Sequence, residues 1–179
     1  IMPKKVLLDS KKIDIILNRL ACQLVENHKD FKNTVLIGLQ PRGTFLIEKI
    51  LKIFKKNYPY INIDSGILDF TFFRDDFRRS EKTLKASSTQ MNFSVENKKV
   101  VLIDDVLFTG RSIKAAMSSM DSYGRPNSIE LLVLIDRRYK REIPIQANYC
   151  GAKIDTFKGD RVNVVWNENS EKNVIYIEN

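Results

Sequence analysis

The sequence predicts an α/β fold: a central, mostly parallel sheet flanked by helices, with a small cap of late strands and one long polar loop. Three observations carry that expectation. Buried strands are read at 35–39, 100–103 and 128–136, and the apolar run 100–103 lacks the period-2 alternation of a half-exposed strand, as in strands covered on both faces. The first two are followed by segments whose apolar residues recur at three- and four-residue intervals, the period of a helix packed on one side. Strand and helix then alternate, which favours parallel neighbours joined by helical crossovers.

Taken in order, Ser10 is placed to cap a helix with apolar positions Ile13, Ile16, Leu17, Leu20, Leu24 and Val25. His28, the single histidine, ends that pattern, where interaction with the helix dipole is the ordinary role. After the strand at 35–39, the turn Gln40-Pro41-Arg42-Gly43 opens a helix over 43–55 carrying Phe45, Leu46, Ile50, Ile53 and Phe54. Residues 66–74 alternate, with Leu68, Phe70 and Phe72 on one side, and predict a strand. The stretch 75–93 is basic and polar, a long loop of the kind that carries function. The strand at 100–103 leads to a helix from Arg111, with Ile113, Ala116, Met117, Met120 and Tyr123 at helical spacing and Gly124 as its stop. Late strands are expected at 161–166 and 174–177. At 179 residues and 43% hydrophobic content, the chain suits one sizeable core, so a single domain over 1–179 is expected.

Composition narrows the function. No run reaches membrane-spanning length, and Ile1-Met2-Pro3-Lys4-Lys5 lacks the apolar stretch of a signal peptide, so a cytoplasmic location is expected. Cys22 and Cys150 lie far apart without metal-ligand spacing, pointing to neither disulfide nor zinc. A single histidine leaves little room for a His-activated nucleophile. The chemistry is expected to rest on acids, backbone amides, basic side chains and a metal.

The most informative stretch is Val100-Val101-Leu102-Ile103-Asp104-Asp105-Val106-Leu107-Phe108-Thr109-Gly110-Arg111-Ser112. Two carboxylates at the end of a buried strand are costly unless paired or used. They suit the vicinal hydroxyls of a ribose, and beside phosphates they recruit Mg²⁺. The Thr109 to Ser112 turn opens a helix, presenting unpaired N–H groups and the positive end of the dipole to an anion. Gly110 allows the backbone to approach closely. Pro41, Arg42 and Gly43 form a second such turn, with Arg42 supplying charge. Together they imply a site for a phosphorylated sugar.

The segment resembles the phosphoribosyl pyrophosphate (PRPP) motif of the type I phosphoribosyltransferases. Further stretches, Leu68-Asp69-Phe70-Thr71-Phe72-Phe73-Arg74-Asp75-Asp76, Tyr123-Gly124-Arg125-Pro126, Leu134-Ile135-Asp136-Arg137 and Ile143-Pro144-Ile145, resemble the pyrimidine-operon regulators of the PyrR family. That resemblance spans about Val6 to Glu178. It implies the type I phosphoribosyltransferase fold with a small hood and a flexible lid, and a Mg²⁺-dependent transfer from PRPP to uracil. It also implies UMP or UTP as nucleotide ligands, a homodimer, and possible binding of a messenger RNA leader.

On this reading Asp104, Asp105 and Arg42 are catalytic, with both aspartates holding metal indirectly through PRPP. PRPP would lie on Pro41, Arg42, Gly43 and the stretch Asp104, Asp105, Val106, Leu107, Phe108, Thr109, Gly110, Arg111 and Ser112. Arg74, Arg78, Lys82 and Lys85 would belong to the lid, closing over PRPP. Asp136 and Arg137 match the family's base pocket, an Asp-Arg surface ion pair being the simpler alternative. Where purine-using relatives often carry an acid before Thr-Gly, this chain has Phe108, which favours a pyrimidine over a purine acceptor.

The net charge of +8 and the run Arg137-Arg138-Tyr139-Lys140-Arg141 favour polyanions, whether PRPP or RNA. Of the family's RNA-contacting positions, Arg19 and Arg141 are retained, while Asn18, Cys22 and Gln146 stand where Thr, His and Arg are usual. The expectation is a transferase with weakened attenuation; the alternative is a nucleotide-sensing RNA-binding regulator with little turnover.

Overall fold

The computed structural model describes residues 4–75, 88–157, 159–167 and 172–178. In chain order its elements are β1 (Lys4–Leu8), α1 (Ser10–His28), β2 (Thr34–Leu39), α2 (Gly43–Asn57), β3 (Asp64–Leu68), β4 (Lys99–Leu107), α3 (Arg111–Met120), β5 (Ser128–Arg138), β6 (Tyr149–Asp155), β7 (Arg161–Val165) and β8 (Val174–Glu178). Five strands form one sheet in the order β3-β2-β4-β5-β6, every neighbouring pair parallel. A second, antiparallel sheet of order β1-β8-β7 forms the hood.

The central strands are apolar throughout because both faces are covered. Leu36, Val101, Ile103 and Leu132 face a layer containing Leu17, Leu20 and Leu24 of α1 and Leu46 and Ile50 of α2. Val35, Ile37, Val100, Leu102 and Val133 face Ile113, Ala116 and Met120 of α3. Val162 and Ile175 of the hood join the first layer, so the hood is anchored by the same apolar burial that fixes α1.

Several local expectations shift. Asp9, not Ser10, caps α1, its carboxylate accepting from the Lys12 amide at 2.9 Å. The alternating segment 66–74 is a strand only to Leu68, after which Thr71–Phe73 form a 3₁₀ turn. The Asp69 carboxylate accepts from the Thr71 amide at 2.8 Å and from its hydroxyl at 2.5 Å, a local bond that competes with the ladder. Strands β1 and β6 carry too little pattern to have been anticipated.

His28 has a different role from the one its position suggested. Its ring is buried, with Nε2 3.1 Å from Glu130 Oε2 and 3.0 Å from the Tyr149 hydroxyl, and Nδ1 3.1 Å from Thr34 Oγ1. Burial holds its pKa below the ordinary 6.5 even though Glu130 pulls the other way. It is a junction between α1, β2, β5 and β6 rather than a cation on the helix dipole.

Candidate functional site

The topology selects one crevice. From β2 the chain crosses to β3 on one side, and from β4 it crosses to β5 on the other, so the carboxyl ends of β2 and β4 flank the switch point where ligands bind in such sheets. The turns at 40–43 and 108–110 are the loops that leave those two ends, with Asp104 and Asp105 near the carboxyl end of β4, before the second.

Gly43 brings the turns together. A Cβ there would stand 2.2 Å from the Ile103 carbonyl oxygen and 3.3 Å from Asp104 Cα, so only glycine lets α2 start against the acids. Across the preceding cis peptide, Gln40-Pro41, the Gln40 amide donates to the Leu68 carbonyl at 3.0 Å. Arg42, which precedes α2 without a side-chain cap bond, sends Nη1 to 3.9 Å from Asp105 Oδ2.

The two acids are not equivalent. Asp104 faces a cavity of about 300 Å³ lined also by Arg74, Phe108, Thr109, Gly110 and Ser112. Its Oδ1 accepts from the Asp105 amide at 2.9 Å. Asp105 is 3% exposed, and its Oδ2 is buried without a hydrogen bond. Burial, then the neighbouring Asp105 charge, pushes the Asp104 carboxyl up to about 8. Burial also raises Asp105, against the opposing pull of Arg42. A pair this reluctant to ionise alone suits a ligand that donates hydrogen bonds or brings positive charge. No group of three or more His, Cys, Asp or Glu among the described residues is placed to hold a metal ion. A cation here would therefore need oxygens from a ligand as well as these two carboxylates.

Gly110 sits at φ +89° before α3, with no side-chain cap bond, leaving the first-turn amides to the cavity mouth. The Arg111 side chain turns aside, bonding Asp75 and, at 2.5 Å, Glu142 Oε2. The Arg111 amide donates to Thr109 Oγ1 at 3.4 Å, a long bond that an anion in the turn would replace.

Asp136 and Arg137 end β5 beside β4, with Leu107 the register partner of Asp136. They are 7% and 6% exposed and are not the surface ion pair of the simpler reading. Asp136 pairs with Arg141. The Arg137 guanidinium stacks 3.8 Å over the Phe108 ring, donates twice to Thr156 Oγ1 at 3.2 Å and once to the Asp160 carbonyl at 2.9 Å. Burial lowers its pKa.

Of the lid residues, Arg74 lines the cavity, whereas Arg78, Lys82 and Lys85 lie outside the described residues. The two RNA candidates both hold their own chain. Arg19 Nη2 donates to the carbonyls of Gly151 at 2.5 Å and Cys150 at 3.2 Å, and Arg141 bonds Phe108 and Asp136. Asp75, Glu142, Thr156 and Asp160 were not singled out in the sequence. Each acts through a long-range partner, and no local spacing announces it.

The phosphoribosyl transferase domain model matches residues 4–168. The bifunctional protein PyrR of Caldicellulosiruptor bescii is 38% identical over 97% of this chain and 94% of its own length. The PyrR protein of Enterococcus faecalis V583 is 37% identical over 93% and 92%. Among solved structures, a ternary substrates complex of Trypanosoma cruzi hypoxanthine phosphoribosyltransferase superposes with a TM-score of 0.73 at 16% identity, covering 99% of this chain and 96% of that one. The Staphylococcus aureus hypoxanthine enzyme gives 0.66 at 24% identity over 87% and 80%. At those identities the structures establish the fold and not the base.

Proposed function

The chain belongs to the phosphoribosyltransferase family and, within it, to the bifunctional PyrR proteins, and on that premise we propose that it transfers ribose 5-phosphate from PRPP to uracil, releasing UMP and pyrophosphate. The observation that carries the reading is the meeting, at one switch point, of the cavity-facing Asp104 and the buried Asp105 with the uncapped start of α3.

The 5-phosphate binds the amides from Thr109 to Ser112, where the dipole favours negative charge. Its binding energy fixes the sugar relative to the acids. Asp104 and Asp105 accept hydrogen bonds from the ribose hydroxyls. As the bond to pyrophosphate breaks, positive charge grows on the ring, and the two carboxylates favour it. Arg42, half-exposed beside Asp105, meets the departing pyrophosphate. Asp104 and Asp105, the latter with an Oδ2 that accepts no hydrogen bond, would hold Mg²⁺ indirectly, through PRPP, and the ion would supply neutralisation of leaving-group charge.

Phe108 and Arg137 support a pyrimidine. Phe108 has no proton to exchange with a purine ring, and its face is covered by the Arg137 guanidinium, whose donors suit the carbonyl oxygens of uracil. The experiment is UMP formation from PRPP, with and without Mg²⁺, with hypoxanthine, guanine and orotate as competing acceptors. Metal-dependent turnover selective for uracil is expected; preference for a purine would overturn the base assignment.

The basic surface favours a second, regulatory reading, in which UMP or UTP modulates binding to a pyrimidine-operon leader, with a homodimer as the assembly. Because Arg19 is committed to β6 carbonyls and Arg141 to the site, specific attenuation is expected to be weak. Nanomolar binding of a leader stem-loop over a scrambled one, measured by gel shift, contradicts that.

A further inference from the structure

The phosphate turn is held from behind through its carbonyls. The Phe108 carbonyl accepts from Arg141 Nη1. The Thr109 carbonyl accepts from the amides of Glu142 at 2.9 Å and Ile143 at 3.0 Å. The same segment closes the rear of the turn, since a Cβ on Gly110 would meet Ile143 Cβ at 3.2 Å. In a trans peptide the N–H points opposite the C=O. Drawing both carbonyls toward 141–143 therefore directs the Thr109 and Gly110 amides the other way, toward the cavity that Thr109 and Gly110 line.

Arg141 reaches further than the two backbone amides do. Its Nη2 bonds Asp136 Oδ1, in a pair whose side chains are 23% and 10% exposed. One guanidinium thus joins the carboxyl end of β5 to the 108–109 peptide, and its fork can serve both acceptors at once, which an ammonium serves less well.

We propose that Arg141 is a positioning residue for the phosphate cradle. Its guanidinium fixes the 108–109 peptide so that the Thr109 N–H faces the 5-phosphate, and its pair with Asp136 ties that orientation to the base end of the site. The proposal rests on the transferase reading above. It gives Arg141 an intramolecular role in place of the RNA contact that the family resemblance implied.

The test is calorimetric titration of the full chain with ribose 5-phosphate, beside steady-state kinetics. Arg141→Lys keeps the charge facing Asp136 and is expected to fold. It is expected to raise the Kd for ribose 5-phosphate about tenfold, the loss of roughly one charge-assisted hydrogen bond. The KM for PRPP is expected to rise in parallel, with KM for uracil little changed. The double variant Arg141→Gln with Asp136→Asn removes both charges together, so no buried ion is left unpaired, and is expected to show the same weakened phosphate binding. Unchanged Kd in either folded variant, against a parent that binds, overturns the role of Arg141. A parent that neither binds ribose 5-phosphate nor turns over PRPP overturns the transferase reading instead.

Discussion

Arg42 Nη1 stands 3.9 Å from Asp105 Oδ2, a buried carboxylate oxygen that accepts no hydrogen bond. An ion pair that long leaves the carboxylate under-satisfied, so that a ligand hydroxyl or cation reaching it gains what Arg42 does not supply. Asp105→Asn is expected to cut turnover by at least about a hundredfold, as loss of a charge aimed at the transition state does. Thermal stability is expected to stay near that of the parent. Steady-state rates and a melting curve on the same preparation check this.

The raised Asp104 carboxyl makes stability depend on pH. Unfolded, the group titrates near 3.8; folded, near 8. Between those values the native state binds a proton that the unfolded state has released, so this contribution is full below about 4 and is lost as pH rises toward 8. Urea titrations from pH 5 to 8 are expected to show a falling contribution that Asp104→Asn removes.

His28 acts in the opposite direction. Its folded pKa lies below the ordinary 6.5, so as pH falls below 6.5 the unfolded state takes up the proton first and stability drops. His28→Gln is expected to abolish this acid-side slope while costing stability near neutrality, because the partly buried Glu130 and the buried Tyr149 and Thr34 groups lose their shared partner. Chemical denaturation of parent and variant between pH 5 and 7.5 measures both effects.

Gly43→Ala places a methyl group 2.2 Å from the Ile103 carbonyl oxygen. Relief requires α2 and the Arg42 turn to move away from the acids. A loss of about 2 kcal/mol is expected from overpacking, with a raised KM for PRPP and a smaller effect on KM for uracil. Denaturant midpoints and separate KM values test it.

Arg137→Lys keeps the charge but loses the planar stack on Phe108 and the forked bond to Thr156. The expected result is a rise in KM for uracil of about tenfold, on the order of one cation–π contact plus one hydrogen bond. The Kd for ribose 5-phosphate is expected to hold. Loss of phosphate binding instead would place Arg137 in the cradle.

Much of the site was legible because its chemistry is local. Asp104, Asp105, Thr109 and Gly110 lie within seven residues on one strand-to-helix turn, and the cost of burying two acids marks them without any fold. The turn at 40–43 was legible for the same reason, as glycine and arginine between a strand and a helix. Arg111 was only half legible. Its backbone opens α3 as expected, but its side chain answers to Asp75 and Glu142, 36 and 31 residues away.

By itself, the sequence determined the alternation of strand and helix, the parallel core and the acid-turn motif, because each rests on periodicity or on residues a few positions apart. Tertiary structure alone decided that Gly43 abuts Ile103, that His28 is a buried junction, that Asp136 pairs with Arg141 rather than Arg137, and that Arg137 lies on Phe108. Those contacts join elements distant in the chain, and their partners are chosen by strand order and register, which put Leu107 beside Asp136. A charge in a linear sequence has many possible partners; packing leaves it the few within reach.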